Sequence, residues 1–589
     1  MSAAAAHAKR YWVVLLALGA TLGVMAVQLV MLHFGLTGHV PKRPKYSFTK
    51  EVKGVYALRG KICASDGLPL AQSVTVWNYH VDPKAVKPKE QKVQRMEIIT
   101  NVAAQLSLPV DKVMDAYCQT KSRYYYLATS DDGEAHAALS GYRPRQMVPK
   151  APGLVIEEKN VRSYPQGRLA SQVVGFVSKD PTNSVGGAGI EQRYERLLKG
   201  TPGEVVGEQD ARGGELRERR IRSVDAQRGA DIYLTLNHEI QLEVERALEE
   251  ACTSNHTEVG WALVMGARTG AILAMASLPD FLPERYNKYS ADTRKNRALS
   301  ENYEPGSVMK PITACAALEE RICTPESVYD AGKGIWFYLG KPLRDHPTGL
   351  LTVKEAIAKS SNIVFAKIGL ELGPERLWKH FRAMGFGKKT GIELPGEETG
   401  ILRRDDLMKD GLKPTRVPIG QGVCVTALQL ATAYCAIANG GALMKPYIVE
   451  RVVQEDGTIL ERHEPTVVGH PMSPTTARKV REMMRAVTEK GGTGRRATVR
   501  GYSVAGKTGT AQMKEGRGYS SSKYYATFVG MIPASDPEVV ILVTLANPQP
   551  KHTGGEVSCP VFRRIATTAM KVLEIEPDMP EDIPDDLME

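Results

Sequence analysis

The stretch "NYEPGSVMKPITACAALEE", residues 302–320, sets Ser307 and Lys310 three positions apart at the front of an apolar, helix-forming run. A lysine there is costly to bury unless it is paired or neutralised. Lys310 is therefore either a snorkelling surface residue or a chemical partner of Ser307. Residues i and i+3 share a helix face, which puts Ser307 at a helix amino end, where the dipole favours an oxyanion, with Lys310 one turn deeper. Burial or a neighbouring cation lowers a lysine pKa from about 10.4 by up to ~3–5 units. A neutral Lys310 would then take the proton from Ser307 and make it a nucleophile.

Ser-x-x-Lys alone says little, since "SFTK" (47–50) in a basic stalk and "SSSK" (520–523) in a Gly- and Ser-rich loop repeat it. Two further stretches change its weight. "LTVKEAIAKSSNIVFAKIGLEL" (351–372) reads as a helical stretch and holds Ser360–Ser361–Asn362 at a Ser-x-Asn spacing. "VAGKTGTAQ" (504–512) puts Lys507, Thr508 and Gly509 on a predicted strand. These too have decoys: "SEN" (300–302), and the Lys-Thr-Gly of "KKTGIELPGEETG" (388–400) in a turn-like region. Ser-x-x-Lys, Ser-x-Asn and Lys-Thr-Gly follow in that order, about 50 and about 145 residues apart, the set found in penicillin-binding proteins and class A β-lactamases.

These stretches need a frame to bring them together. From about residue 230, "DIYLTLNHEIQLEVERALEEAC" reads as a strand and a helix capped near Asn237. "VGWALVMGARTGAILAMASLP" is a hairpin turning around Arg268–Gly270. "YSVAGKTGTAQ", "YATFVGMIPA" and "EVVILVTLANP" are three more strands, the last two turned by "SDP" (535–537), and a helix near 559–574 follows. Five strands in two groups, split by a largely helical insertion, predict an α/β domain: an antiparallel sheet packed by helices.

The region before it is of another kind. Lys9 and Arg10 precede "YWVVLLALGATLGVMAVQLVML" (11–32), a stretch without a charge and long enough to span a ~30 Å hydrocarbon core. It reads as an uncleaved single-pass anchor, with the basic amino end in the cytoplasm and everything after about residue 36 outside. A polar, Pro-containing stalk follows, then a mixed region to about 225. There "AQSVTVWNY", "YYYLATS", "GLVIEEK" and "SQVVGFVS" read as strands, and "IEQRYERLLKG" (190–200) as a helix closed by Gly200. The expected divisions are a cytoplasmic tail (1–10), anchor (11–35), stalk (36–55), pedestal (56–228), catalytic domain (229–575) and acidic tail (576–589).

At 589 residues the chain needs more than one core, and 42% hydrophobic with 24% charged residues is ordinary globular composition. The net charge of +11 sits partly in "ARGGELRERRIRS" (211–223). That segment reads as a solvated loop, because no aromatic residues interleave with the arginines as a nucleic-acid site would need. The eight cysteines form no CxxC and no His–Cys ligand spacing, so no zinc, redox motif or cofactor is expected. Cys315, Cys424 and Cys435 lie in apolar helical or near-helical runs, and no disulfide is assigned.

The sequence resembles a class B penicillin-binding protein, most closely the septal, FtsI-type peptidoglycan D,D-transpeptidases. The likeness runs from the anchor to about residue 570. It is carried by "LRGKICASDGLPLA" (58–71), "RSYPQGRLASQVVGFV" (162–177), "GGAGIEQRYERLLKGTPG" (186–203), "NRALSENYEPGSVMKP", "SSN", "FGKKTGIELPGE", "IGQGVCVTALQLATAYCAIANGG" and "AGKTGTAQ". Two departures are Ala64–Ser65–Asp66–Gly67 for the family's usual Asp-Arg-Asn-Gly, and Met309 where Phe is frequent. The resemblance implies a β-lactamase-like transpeptidase domain with an N-terminal α+β pedestal and one transmembrane helix. No glycosyltransferase signature precedes the pedestal, which argues against a bifunctional class A enzyme.

By the same resemblance, Ser307 attacks the D-Ala–D-Ala carbonyl of a stem peptide with Lys310 as base. Ser360 relays a proton towards the leaving amine, and Asn362 binds the donor amide. Lys507 keeps Lys310 neutral and, with Thr508 and Thr510, holds the terminal carboxylate; Gly509 leaves the strand edge open. Backbone N–H groups of Ser307 and Thr510 form the oxyanion hole. Implied partners are lipid II-derived strands, a SEDS-type (FtsW-like) polymerase and other division proteins, with β-lactams as inhibitors. Three rival readings stand: an elongation-type transpeptidase, a D,D-carboxypeptidase or β-lactamase passing the acyl group to water, and a β-lactam sensor or scaffold. No ExxLN-like deacylation stretch is present, and a sensor would have several spans.

Overall fold

Strands β1 (Val259–Gly266), β2 (Ile272–Leu278), β3 (Ala505–Glu515), β4 (Gly518–Ile532) and β5 (Val539–Ala546) form one antiparallel sheet in the order β2-β1-β5-β4-β3. The structure, a computed structural model, describes residues 3–33, 50–55, 57–83, 92–118, 124–143, 146–149, 153–178, 185–208, 221–516 and 518–579. Residues 34–49, with most of the "SFTK" decoy, the basic segment 211–220 and the tail 580–589 lie outside them.

Every residue of β5 is buried. A strand covered on both faces reads as an unbroken apolar run rather than an alternating one, as "VVILVTLA" does. On one face pack α1 (His238–Ser254) and α5 (Gly554–Val572), around Val264, Phe528 and Phe562. The other face carries the insertion, containing α2 (Lys310–Glu319), α3 (Asn362–Ala383) and α4 (Ala427–Ala438). All twelve residues of α4 are buried; a helix apolar all round survives only in a core. Asn237 caps α1, its side chain accepting from Glu239 N and Ile240 N, each at 3.1 Å.

In the pedestal, Pro69–Val81 pairs with both Tyr125–Ser130 and Leu154–Ser163. Its sheet continues through Ile62–Cys63 to Asp231–Leu234, Val449–Val453 and Ile459–Arg462. Strands from both sides of residue 229 thus share one sheet. A buried Glu191 carboxylate joins Arg59 Nε and Arg162 Nε, each at 2.6 Å. Pedestal and catalytic domain meet where Ala170 N donates to Glu245 Oε1 of α1 (2.7 Å) and Gln172 Nε2 donates to Ser277 O (3.0 Å). Ahead of the pedestal, Ala3–His33 is helical, and Trp12–Met31 is the one span among the described residues long and apolar enough to cross a membrane.

Five local expectations need correction. Residues 190–200 form two short helices, Gly189–Arg193 and Glu195–Leu198, broken at Tyr194 (φ −108°), whose ring is drawn into the core. "SQVVGFVS" is no strand: Ser171–Val174 is a fully buried helical turn, so packing overrides the β preference of Val-Val. The 351–372 stretch is not one helix. Val353–Ala358 ends, Ser360 takes φ +62°, and α3 starts afresh at Asn362. "SSSK" lies within β4, not in a loop. Cys424 is extended and bridges Ile401. All eight cysteines are free thiols.

Candidate active site

The turn that carries Ser307 begins at Gly306, whose φ of +60° opens a 3-10 turn, Gly306–Met309, running into α2. Gly306 N donates to Gly420 O at 3.1 Å. Pro311 falls in the first helical turn, where its missing N–H costs nothing. Tyr434 OH of α4 donates to Val308 O (2.8 Å), and Thr313 Oγ1 donates to Pro418 O (3.0 Å), so the turn is held from beneath. Ser307 is half-buried and Lys310 is 0% exposed. That excludes the snorkelling alternative.

The three motifs converge on the two amines. Lys310 Nζ lies 3.0 Å from Ser307 Oγ, 2.5 Å from Ser360 O, 3.1 Å from Ser360 Oγ and 2.9 Å from Asn362 Oδ1. Lys507 Nζ, also buried, lies 3.0 Å from Ser360 Oγ and 3.1 Å from Thr508 O. The Ser360 hydroxyl therefore stands between the amines. A neutral amine has two N–H groups and one lone pair. Ser360 O and Asn362 Oδ1 can only accept, so together they take both N–H groups and leave the lone pair for a hydroxyl proton.

Electrostatics favour that neutral form. Burial drives the Lys310 pKa well below the ordinary lysine value, the Lys507 charge adds to this, and Asp345 opposes it. Burial also brings Lys507 down, to about 7. The left-handed Ser360 turns both its carbonyl and its hydroxyl towards Lys310, which a continuous helix would not allow.

The third motif lies on β3, the edge strand, which leaves alternate peptide groups without ladder partners. A Cβ at Gly509 would sit 3.0 Å from Val308 Cγ1 and 3.1 Å from Pro305 O. This glycine allows β3 to approach the Ser307 turn closely, a different reason from the open edge expected. Thr508 Oγ1 pairs with Thr493 Oγ1 at 2.7 Å, while Thr510 is exposed and its Oγ1 accepts from Gly554 N at 3.3 Å. The decoys stand apart: Thr390 and Gly391 donate to Glu397, and Ser300 Oγ donates to Asn296 O, each a local turn.

Two acidic residues at the site escaped the sequence reading. Glu304, buried, accepts from Gly422 N (3.1 Å) and Tyr519 OH (3.0 Å) and pairs with Lys514 (3.0 Å). It ties the β3–β4 hairpin to the Ser307 turn; its place two residues before Gly306 was the only hint. Asp345 meets the second motif from 16 residues upstream of Ser361, with no local pattern to betray it. Gly420 shows how tight the assembly is. Its φ is +79°, and a Cβ there would lie 2.1 Å from Gly306 O. Gly420→Ala is expected to cost at least ~2 kcal/mol and to slow penicillin acylation more than ~10-fold, measured by thermal unfolding and fluorescent-penicillin labelling.

With this geometry in view, the comparisons with known proteins decide the family. Residues 260–567 match the penicillin-binding protein transpeptidase domain and residues 54–234 the penicillin-binding protein dimerisation domain. The chain belongs to the class B penicillin-binding proteins. Over 490 residues it is 33% identical to penicillin-binding protein PbpB of Mycolicibacterium smegmatis, covering 80% of this chain and 73% of that one. Over 534 residues it is 30% identical to the peptidoglycan D,D-transpeptidase FtsI of Escherichia coli, covering 90% and 86%. Penicillin-binding protein 3 of Mycobacterium tuberculosis, solved with aztreonam, matches with a TM-score of 0.67 at 27% identity over 90% of this chain and 99% of that one. This penicillin-binding protein is a serine-type peptidoglycan D,D-transpeptidase.

Proposed function

We propose that this transpeptidase works through an acyl-enzyme on Ser307 and serves the division septum. Lys310 takes the Ser307 proton as Oγ attacks the carbonyl between the two terminal D-alanines of a stem peptide. The C–N bond breaks, the proton passes by way of Ser360 to the leaving D-alanine amine, and an ester remains on Ser307. An amine from a neighbouring stem peptide then attacks the ester, loses its proton to the same relay, and frees Ser307 with a cross-link made. The observation that carries this reading is the 3.0 Å contact between the Ser307 hydroxyl and a fully buried Lys310 amine beside a second lysine.

The other residues have supporting roles. Asn362 orients the donor amide; Lys507, Thr508 and Thr510 receive the terminal carboxylate; the N–H groups of Ser307 and Thr510 stabilise the oxyanion, at ~3 kcal/mol per donor. The edge position of β3 supports substrate binding in the manner of an added strand. β-Lactams enter as mimics of D-Ala–D-Ala, leaving a slow ester. In this reading residues 56–228 serve as pedestal and 229–575 as catalytic domain. The helix around 12–31 anchors the protein once in the cytoplasmic membrane with its amino end inside, and a SEDS-type polymerase supplies the glycan strands.

Mass spectrometry of the protein after penicillin treatment tests the nucleophile: the adduct is expected on Ser307 and absent in Ser307→Ala. An adduct elsewhere overturns the assignment. A fluorescent fusion gathering at mid-cell supports the septal role; one along the lateral wall replaces it with the elongation role.

A further inference from the structure

The carboxylate of Asp345 and the carbonyl of Arg344 grip the second motif from outside it. They lie at the end of a two-stranded hairpin, Ile335–Tyr338 with Lys341–Arg344. Asp345 N donates to Gly334 O (2.9 Å), which fixes the backbone at the hairpin base. From there Asp345 Oδ1 accepts from Asn362 N (3.0 Å), and Oδ2 accepts from Ile363 N (3.2 Å) and from Ser361 Oγ. Ser361 Oγ in turn accepts from Val364 N (3.2 Å). Three of the four free N–H groups at the start of α3 are thus satisfied by one carboxylate and one hydroxyl. Arg344 O accepts from Asn362 Nδ2 at 3.0 Å. This decides which way the amide faces: with Nδ2 spent on Arg344, Oδ1 is turned to Lys310.

We infer that Asp345 is a positioning residue for the transpeptidase site, holding Ser360 and Asn362 against Lys310 and setting the local charge under which Lys310 works. The helix α3 could begin with Ser361 as its only cap, as α1 does with Asn237. The additional, partly buried contact from a distant hairpin matters because the motif residues lie in a break between helices, where the chain supplies no hydrogen-bond ladder to hold them. Lys310 has three charged or ionisable neighbours facing it, namely Lys507 from β3, Asp345 from the hairpin and the Ser307 hydroxyl from its own turn, and Asp345 is the one negative group among them. The inference rests on the proposed roles of Ser307 and Lys310.

The test uses the full-length protein in detergent and follows acylation by a fluorescent penicillin against pH. Asp345→Asn keeps the shape and part of the cap while removing the charge. Lys310 then loses the neighbour that favours its protonated form, so the acid limb of the rate profile is expected to move down by about half a pH unit or more. Asp345→Ala, which also removes the grip, is expected to acylate ~10–100-fold more slowly. Ser473→Ala, which removes the comparable cap of the helix Pro474–Arg485, is expected to lose stability with an unmoved acid limb. An acid limb of Asp345→Asn that coincides with wild type makes Asp345 a structural cap and overturns the inference, whatever the stability change. A wild-type protein that is not labelled on Ser307 fails the proposed function instead, and the two failures are told apart by the wild-type adduct.

Discussion

Lys310→Met is expected to slow acylation by a penicillin by ~10²–10⁴-fold, the range typical of a lost general base, with the protein still folded. Methionine fills nearly the same volume in a site where Lys310 is fully buried. Its cost is the loss of donors to Ser360 O and Asn362 Oδ1, and this is set against relief from burying an amine. Lys310→Arg is expected to be no better, because a guanidinium stays protonated at any working pH and has no lone pair to offer Ser307. Stopped-flow labelling gives the rate and thermal unfolding checks the fold. A Lys310→Met protein acylating within threefold of wild type would remove Lys310 from the mechanism.

Lys507→Met is expected to trade activity for stability. Burial lowers Lys507 from an ordinary 10.5 to about 7. Between about pH 7 and 10.5 the unfolded chain therefore holds a proton there that the folded chain does not, and folding stability rises with pH across that window. The cost of burying this lysine is full below about pH 7 and disappears above about 10.5. The difference of about 3.5 units at about 1.4 kcal/mol each sets an upper bound of ~5 kcal/mol. Lost hydrogen bonds to Ser360 Oγ and Thr508 O reduce the net gain to ~2 kcal/mol. The variant should melt several degrees higher than wild type at pH 6.5, with the advantage shrinking towards pH 10.

Its acylation should fall by ~10²-fold or more, and the acid limb should move to higher pH, because Lys310 loses the cation that disfavours its own protonation. That direction is opposite to the one expected for Asp345→Asn. The pair of variants thus brackets Lys310 between one positive and one negative neighbour. Natural sequences keep such costs where a site needs a strained charge state.

The candidate site of this protein was legible in short stretches. Ser307, Lys310, Ser360, Asn362 and Lys507 stood out because the residue types that make an activated hydroxyl recur at one spacing and in one order, and because apolar runs around them foretold burial. The buried strands were legible from their apolar runs: β5 is covered on both faces, so hydrophobicity marks it without a competing signal, whereas the largely exposed first half of β4 read as a loop. The helix long and apolar enough to cross a membrane followed from length and lack of charge alone.

Tertiary structure decided the rest. Whether Lys310 was buried or snorkelling depended on α4 and the Gly420 turn packing beneath it, more than 100 residues away. The break that puts Ser360 in a left-handed conformation was invisible because 351–372 has helix-forming composition throughout, and the carboxylate that meets the residues just after it, Asp345, reaches in from another hairpin. Gly509 gave no sign that its missing side chain makes room for Val308 and Pro305. Local composition reports the preferences of neighbours along the chain. Contacts between distant segments are set by close packing and by the need to satisfy buried polar groups, and those appear only once the chain has folded.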